Sequence, residues 1–389
     1  MDAFIAGVVL APLVLGVYAY LVYPVLLWIV SQSRSRPGRM DVTEPSVTVV
    51  LAAYNEEMQI AGAIEALLRQ DYPAARRQIL IVSDASTDGT DAIVQSYAAR
   101  GVELLRMSTR VGKTAAENAA LGHIRGEIVV NTDASIRFHE QALRKLVHAL
   151  DDPEVGVASA RNVSVARAAG ANRAEAGYVG YDMAIRLFET RAGGIVGASG
   201  AGYAIRKTLH VLPVRNDLSR DFSAAMTAQR HGFRSVFVDD AICYVPRAFS
   251  LRREYLRKVR TISRGMETLY HNRDLLNPLT TGTFAWKLFS HKIARWAVPV
   301  AAMPSLIGIV YFALRYPVAW IVAALGLVAA AAALIGATWP EHRRPTRWIP
   351  TGIVGALAAN LAVVHSAWRF LRRHHDHVWE PTRRVAPAP

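Results

Sequence analysis

Three valine-rich runs of this chain end in polar tips that carry a carboxylate: Val-Thr-Val-Val-Leu-Ala-Ala-Tyr-Asn-Glu from Val47, Ile-Leu-Ile-Val-Ser-Asp from Ile79, and Glu-Ile-Val-Val-Asn-Thr-Asp from Glu127. Strand ends are where open α/β sheets gather ligands, so Glu56, Asp84 and Asp133 are candidates for chemistry. An aspartate closing an apolar strand can give one carboxylate to Mg2+ or Mn2+ and leave the rest of the oxygen shell to a substrate phosphate. Two residues on stands Ser135, a poorer ligand, so such an ion would lean on the phosphate. Lys113 follows Gly112 at a predicted helix start, where backbone N–H groups and an ammonium can both face phosphate, although the spacing of a P-loop is absent. Each residue also has a plain structural use: Tyr54 as a packing aromatic, Glu56, Asp84 and Asp133 as helix caps, Lys113 as a solvated lysine. Asp88 fits a turn and cap before the next helix, with no role in chemistry.

The elements that must hold these tips can be read from hydrophobic period. Strands are predicted over 46–53, 78–82, 102–105, 127–132, 156–161 and 235–238, with an apolar strand closing the glycine-rich 193–205. Helices are predicted over 54–69, 90–100, 113–123, 140–150, 171–192 and 219–231. Strands separated by helices of this length predict an α/β domain over 46–250 with a mostly parallel sheet.

The 389 residues are 52% hydrophobic, more than an ordinary soluble domain needs. The excess lies in 4–30 and in about 294–370. The first segment has no charged residue and exceeds the roughly 20 helical residues needed to cross a bilayer. It is longer than a signal-peptide core and follows Asp2 rather than basic residues, so a retained anchor over 1–33 is expected. Arg34, Arg36 and Arg39 after it predict a cytoplasmic domain and an outward N-terminus. Residues 251–295 read as basic amphipathic helices at the membrane surface, 296–370 as membrane helices over 296–314, 318–335 and 349–370, and 371–389 as a basic tail. Four spans in total are expected, although the basic loops give conflicting orientations. The formal charge is +14, yet the basic residues crowd the membrane ends, which points to anionic lipid and not to nucleic acid. Cys243 is the one cysteine, so no internal disulfide can form.

In order along the chain stand Ala53-Tyr54-Asn55-Glu56, Ser83-Asp84-Ala85-Ser86-Thr87-Asp88-Gly89-Thr90, Gly112-Lys113, Thr132-Asp133-Ala134-Ser135, the glycine-rich 197–206 and Arg220-Asp221-Phe222. This ordered set resembles the membrane-embedded inverting family 2 glycosyltransferases, the group of cellulose, chitin, hyaluronan and poly-N-acetylglucosamine synthases. The resemblance implies a GT-A-type nucleotide-binding domain and a UDP-sugar donor. Ala53, Tyr54, Glu56, Asp84, Lys113 and Asp133 would then hold the nucleotide, with the metal on Asp133. It also implies that Asp221 is the general base that takes the acceptor proton. Arg220 stands where many relatives have an acid, and a cation there would favour the ionised Asp221 and weaken it as a base. Relatives carry Gln-x-x-Arg-Trp on the following helix; here the run is Arg257-Lys258-Val259-Arg260-Thr261. Arg260 keeps the arginine that would stabilise the departing diphosphate. Arg257, Thr261, Arg264 and, across the site, Gly200 and Arg220 would shape the acceptor side, and the missing tryptophan puts tight holding of a growing glycan in doubt.

The function expected is inverting transfer to a glycan acceptor at the cytoplasmic face of a bacterial-type plasma membrane, building and exporting a polysaccharide. The alternative is a single addition to a polyprenyl-phosphate-linked or other lipid acceptor. Four spans are few for a polysaccharide channel, and a homodimer would supply more.

Overall fold

The computed structural model describes residues 1–32, 44–165, 173–246, 251–321, isolated positions up to 331, and 351–372. The predicted loop 34–39, the basic loop 343–347, parts of the span 318–335 including its end at 332–335, and the tail beyond 372 lie outside the described residues.

Eight strands form one sheet: β1 (Val47–Ala53), β2 (Arg77–Ser83), β3 (Val102–Arg106), β4 (Ile128–Asp133), β5 (Arg137–Phe138), β6 (Val155–Val165), β7 (Gly202–Arg206) and β8 (Arg234–Pro246), in the order β3-β2-β1-β4-β7-β6-β8-β5. The first half is parallel as predicted: β1 pairs with β2 and β4, and β2 with β3. The second half corrects the mostly parallel expectation. β7 runs antiparallel to both β4 and β6, β5 is antiparallel to β8, and β6 lies parallel to β8. The sheet is therefore mixed, because β7 is fed by a long excursion and not by a short right-handed crossover.

β1 is buried along its whole length, as a strand covered on both faces must be. Val49 and Leu51 join one core with Ile60, Ile64 and Leu67 of α2 (Ile60–Leu68) and Leu143 and Leu146 of α5 (Ala142–His148). Val50, on the other face, packs with Ala116 of α4 (Lys113–Ala119) and Ala224 and Ala228 of α7 (Arg220–Arg230). α3 (Thr90–Ser96) follows β2. α2 starts later than predicted because Asn55 takes a left-handed φ of 51° and the chain turns before Ile60.

Two helices are long and apolar enough to cross a membrane among the described residues: α1 (Asp2–Gln32) and α9 (Thr283–Arg315). The expected interface helix at 283–295 and the span after it are one continuous helix, since nothing between them breaks the backbone ladder apart from a π turn at Phe289–Ala294. α1 and α9 pack antiparallel. Ser305 Oγ donates to the Val8 carbonyl at 2.8 Å, and Tyr311 OH donates to Asp2 at 2.7 Å. A Cβ on Gly308 would sit 2.6 Å from Val9, so glycine sets this close approach. Outward, Phe4, Leu13, Leu21, Trp28, Ile307 and Leu314 are at least half exposed, an apolar surface of the kind that marks a contact with a membrane or another protein.

Between the sheet domain and these helices lie α6 (Arg173–Arg191) and α8 (Leu251–His271), with α10 (Thr351–Leu371) against α8. Tyr23 and Leu27 of α1 meet Ile185 of α6, while Ser366 of α10 donates to the Val259 carbonyl at 3.0 Å. The predicted interface helix α8 is thus built into the protein, with Val259 and Leu269 buried.

Candidate active site

Parallel pairing aligns the tips of β1, β2 and β4 at one sheet edge. Asn55 ties the first two together, its Oδ1 accepting from Thr87 N at 2.8 Å, and Glu56 N donates to Thr90 Oγ1 at 2.8 Å. Asp88 Oδ1 accepts from Thr90 N at 3.0 Å, the cap expected of it. Asp84 is buried and accepts two backbone bonds, from Val111 N at 2.7 Å and Gly112 N at 2.9 Å. Its carboxylate therefore fixes the loop that delivers Lys113 to the third tip.

Lys113 donates to Asp133 Oδ1, and Glu117, one turn further along α4, lies 3.9 Å from the same ammonium. Burial opposes the lysine charge, but Asp133, Glu117 and Asp221 outweigh it and hold the Lys113 pKa above its ordinary value. The ammonium is thus a fixed cation at neutral pH, suited to a diphosphate. Tyr54 presents one ring face to the Arg110 guanidinium, 3.8 Å from the ring centre. The sequence motifs do not single out Arg110; its one signal there is a cation in the loop before Gly112.

Asp221 opens α7. Its carboxylate accepts from Ser219 Oγ and from Phe222 N, the latter at 2.9 Å. Gly200 lies directly against it: a Cβ there would stand 2.7 Å from Asp221 Oδ2. Gly200→Ala is expected to leave the fold intact, because the end of one side chain can swing, but to displace the carboxylate and cost about 10²-fold in turnover. Transfer kinetics beside an unchanged melting temperature would show this.

Arg220 does not reach toward Asp221's open side. It turns into the protein, with Nε 3.5 Å from Glu117 Oε2 and its guanidinium on Asn118 and the His210 carbonyl. Burial pushes the Glu117 carboxyl up, against the pull of Lys113 and Arg220. This pair is invisible in sequence because Glu117 and Arg220 lie far apart along the chain.

α8 braces the loop before Asp221. Arg264 donates to the Asn216 carbonyl at 2.9 Å and approaches Thr114, next to Lys113, at 3.4 Å; Thr268 Oγ1 accepts from Ser219 N at 2.9 Å. Arg260, half-buried, stands one turn earlier on α8, Arg257 pairs with Glu254 at 2.9 Å, and Thr261 is exposed. The structure thus brings Asp84, Lys113, Asp133, Asp221 and Arg264 together. Arg257 instead joins an ion pair within its own helix.

Asp133 already holds a cation of this chain at its carboxylate, so the position suits positive charge, and its hard oxygens suit Mg2+ or Mn2+. A second set of ligand atoms, on Asp217 of the loop before α7 and on Glu267 and His271 of α8, lies within 4.8 Å of one another.

Residues 48–209 match the family model described as glycosyl transferase family 2. The mannosyltransferase PcManGT from Pyrobaculum calidifontis, solved with GDP-Man and Mn2+, has a similar fold, with a TM-score of 0.72 over 94% of this chain and 99% of that one at 23% identity. A β-monoglucosyldiacylglycerol synthase of Synechocystis is 26% identical over 68% of this chain and 57% of its own length. An N-acetylglucosaminyltransferase of Bradyrhizobium diazoefficiens is 25% identical over 59% of this chain and 50% of its own. The chain spans about half the length of these curated relatives. With the acidic tips converging on Lys113, residues 48–209 are similar to the glycosyl transferase family 2 domain, and the chain shares its fold with a solved mannosyltransferase.

Proposed function

We propose that this protein is a metal-dependent, inverting glycosyltransferase that adds a single sugar from a UDP-sugar to a lipid-linked acceptor at the cytoplasmic face of a membrane. The observation that carries it is the meeting of Asp133, Lys113 and Asp221 at the sheet edge, in a domain joined to the paired apolar helices α1 and α9.

Each side chain has a task in this reading. Tyr54, Glu56 and Ala53 border the base, Asp84 positions the Gly112 loop, and Lys113 faces the diphosphate. Asp133 would hold Mg2+ or Mn2+, which when bound neutralises diphosphate charge. Asp221 accepts the proton as the acceptor oxygen attacks the anomeric carbon from the face opposite the leaving group. Arg260 and Arg264 lie on the helix that would oppose charge on the leaving diphosphate. A lipid acceptor is favoured over polysaccharide export because two paired helices enclose no polar channel among the described residues. The likeness to an enzyme named for a glucosyl diacylglycerol product agrees.

The test is transfer of radiolabel from a panel of UDP- and GDP-sugars into membranes containing the full chain, with Mg2+, with Mn2+ and with chelator. Chelation, or Asp133→Asn, is expected to lower nucleotide release by at least about 10²-fold, and the product is expected to carry one added sugar. A ladder of products would restore the polysaccharide reading, and turnover unaffected by either treatment would remove Asp133 from the site.

A further inference from the structure

The first turns of α9 carry four basic residues where the helix leaves the sheet domain, and three have polar partners within hydrogen-bonding or ion-pair distance. Lys287 Nζ donates to the Gly194 carbonyl at 2.6 Å, at the C-terminal end of α6. His291 lies between Glu189 at 2.7 Å and Asp182 at 3.2 Å. Arg295 reaches Asp182 at 3.4 Å and lies over the rings of Tyr20 and Tyr181. Lys292 differs. Among the described residues its ammonium makes no hydrogen bond or ion pair, and it sits 5.2 Å from the ring centre of Phe222.

Phe222 is the residue after Asp221. Gly197 lies against the same ring, at 2.8 Å from a would-be Cβ, and the Gly197 carbonyl accepts from Arg186 at 2.8 Å. Lys292 and Arg186 thus flank the aromatic wall next to the proposed base. Around them Arg186, Lys287, Lys292 and Arg295 face Asp182, Glu189 and, through Arg186, Asp221, four cations to three carboxylates among the described residues, so the junction holds more positive than negative charge. Positive charge held partly out of water attracts an anion.

One helical turn beyond Lys292 is Trp296. It lines a cleft of about 250 Å³, apolar apart from Arg273, with Met266, Leu269, Tyr270, Leu276 and Phe370, between α8, α9 and α10. A cation beside the base and an apolar cleft one turn away match a molecule that is anionic at one end and hydrocarbon at the other.

We propose that Lys292 binds the phosphate of an anionic lipid-linked acceptor, whose chain enters the cleft at Trp296 and whose reactive hydroxyl, carried beyond the phosphate, then faces Asp221 and gives it the proton as that oxygen bonds the anomeric carbon and the nucleotide diphosphate leaves. This rests on the lipid-acceptor reading above and narrows it to phosphate-bearing lipids over neutral ones.

The experiment uses the full chain in nanodiscs of neutral phospholipid, supplied with UDP-sugar and either a polyprenyl-phosphate-linked monosaccharide, which carries both the phosphate and a reactive hydroxyl, or a neutral diacylglycerol. Wild type is expected to prefer the phosphate lipid. Lys292→Met, which keeps the aliphatic stem on Phe222, is expected to raise the KM for that lipid about tenfold or more. Its KM for UDP-sugar and its melting temperature are expected to stay unchanged, and Lys292→Arg is expected to recover most of the loss. Millimolar inorganic phosphate separates a headgroup site from a general phosphate site: weak competition supports a site that needs the chain, whereas equal binding of free phosphate overturns the role of the cleft. Equal use of the neutral lipid, or an unchanged KM in Lys292→Met, overturns the proposal while the transferase reading stands. Transfer to neither lipid, with sugar passing to a soluble glycan, removes the lipid-acceptor reading itself.

Discussion

Asp221→Asn is expected to lower glycosyl transfer by about 10²–10⁴-fold, the range removed with a general base, while nucleotide affinity stays near that of wild type. Asparagine is isosteric and can still accept from Ser219 and Phe222, whose bonds hold the side chain in place. It cannot take the acceptor proton. Gly200 keeps the opposite side of the carboxylate free of any side chain, and α8 fixes the preceding loop through Thr268 and Arg264. Losing the proton acceptor therefore lowers the rate of the chemical step and leaves the geometry. Single-turnover transfer beside a nucleotide titration separates the two, and turnover at the wild-type rate would show that the proton goes elsewhere.

The second large effect is on stability. Arg220→Met removes the guanidinium from Glu117, Asn118 and the His210 carbonyl, and leaves Glu117 buried with only Lys113 at 3.9 Å. Breaking a buried pair from one side costs about 3–5 kcal/mol. A lowered midpoint of denaturation in detergent measures it, and Glu117→Met added to Arg220→Met is expected to restore much of the loss. The pH dependence has a definite sign. A carboxyl whose folded pKa lies above its unfolded value of 4.5 contributes most below that value and loses the contribution as pH rises through the folded pKa. Without Arg220 the folded value rises further. The deficit of Arg220→Met is therefore expected to be small near pH 4 and largest at neutral pH. A deficit independent of pH would place the cost in Asn118 and His210 instead.

Much of the site is legible in the order of residues alone. The unbroken apolar run Val49, Val50 and Leu51 marks a strand covered on both faces, and parallel pairing then forces Glu56, Asp84 and Asp133 to one edge. Gly112-Lys113 reads as a phosphate-facing helix start, and the helix does begin at Lys113. The antiparallel β7 is not legible, because strand direction depends on the path of the chain from β6 through α6 and not on side-chain period. Nor is the unbroken α9: aromatic and basic residues at 283–295 look interfacial in sequence, whereas in the fold they bind α6 and continue into the apolar helix.

What the sequence by itself determined is the inventory: which strand tips carry acids, which segments are apolar, and that a helix opens at Lys113. These follow from local period and local chemistry, which a chain carries wherever it goes. Only the tertiary structure decided the pairings. Lys113 could have faced solvent, but the Asp84 carboxylate pulls its loop toward Asp133. Arg220 could have stood beside Asp221, but Glu117, distant along the chain, draws it inward. Such pairings depend on which distant elements share an interior, because a charge leaving water settles on whatever opposite charge the packing brings within reach.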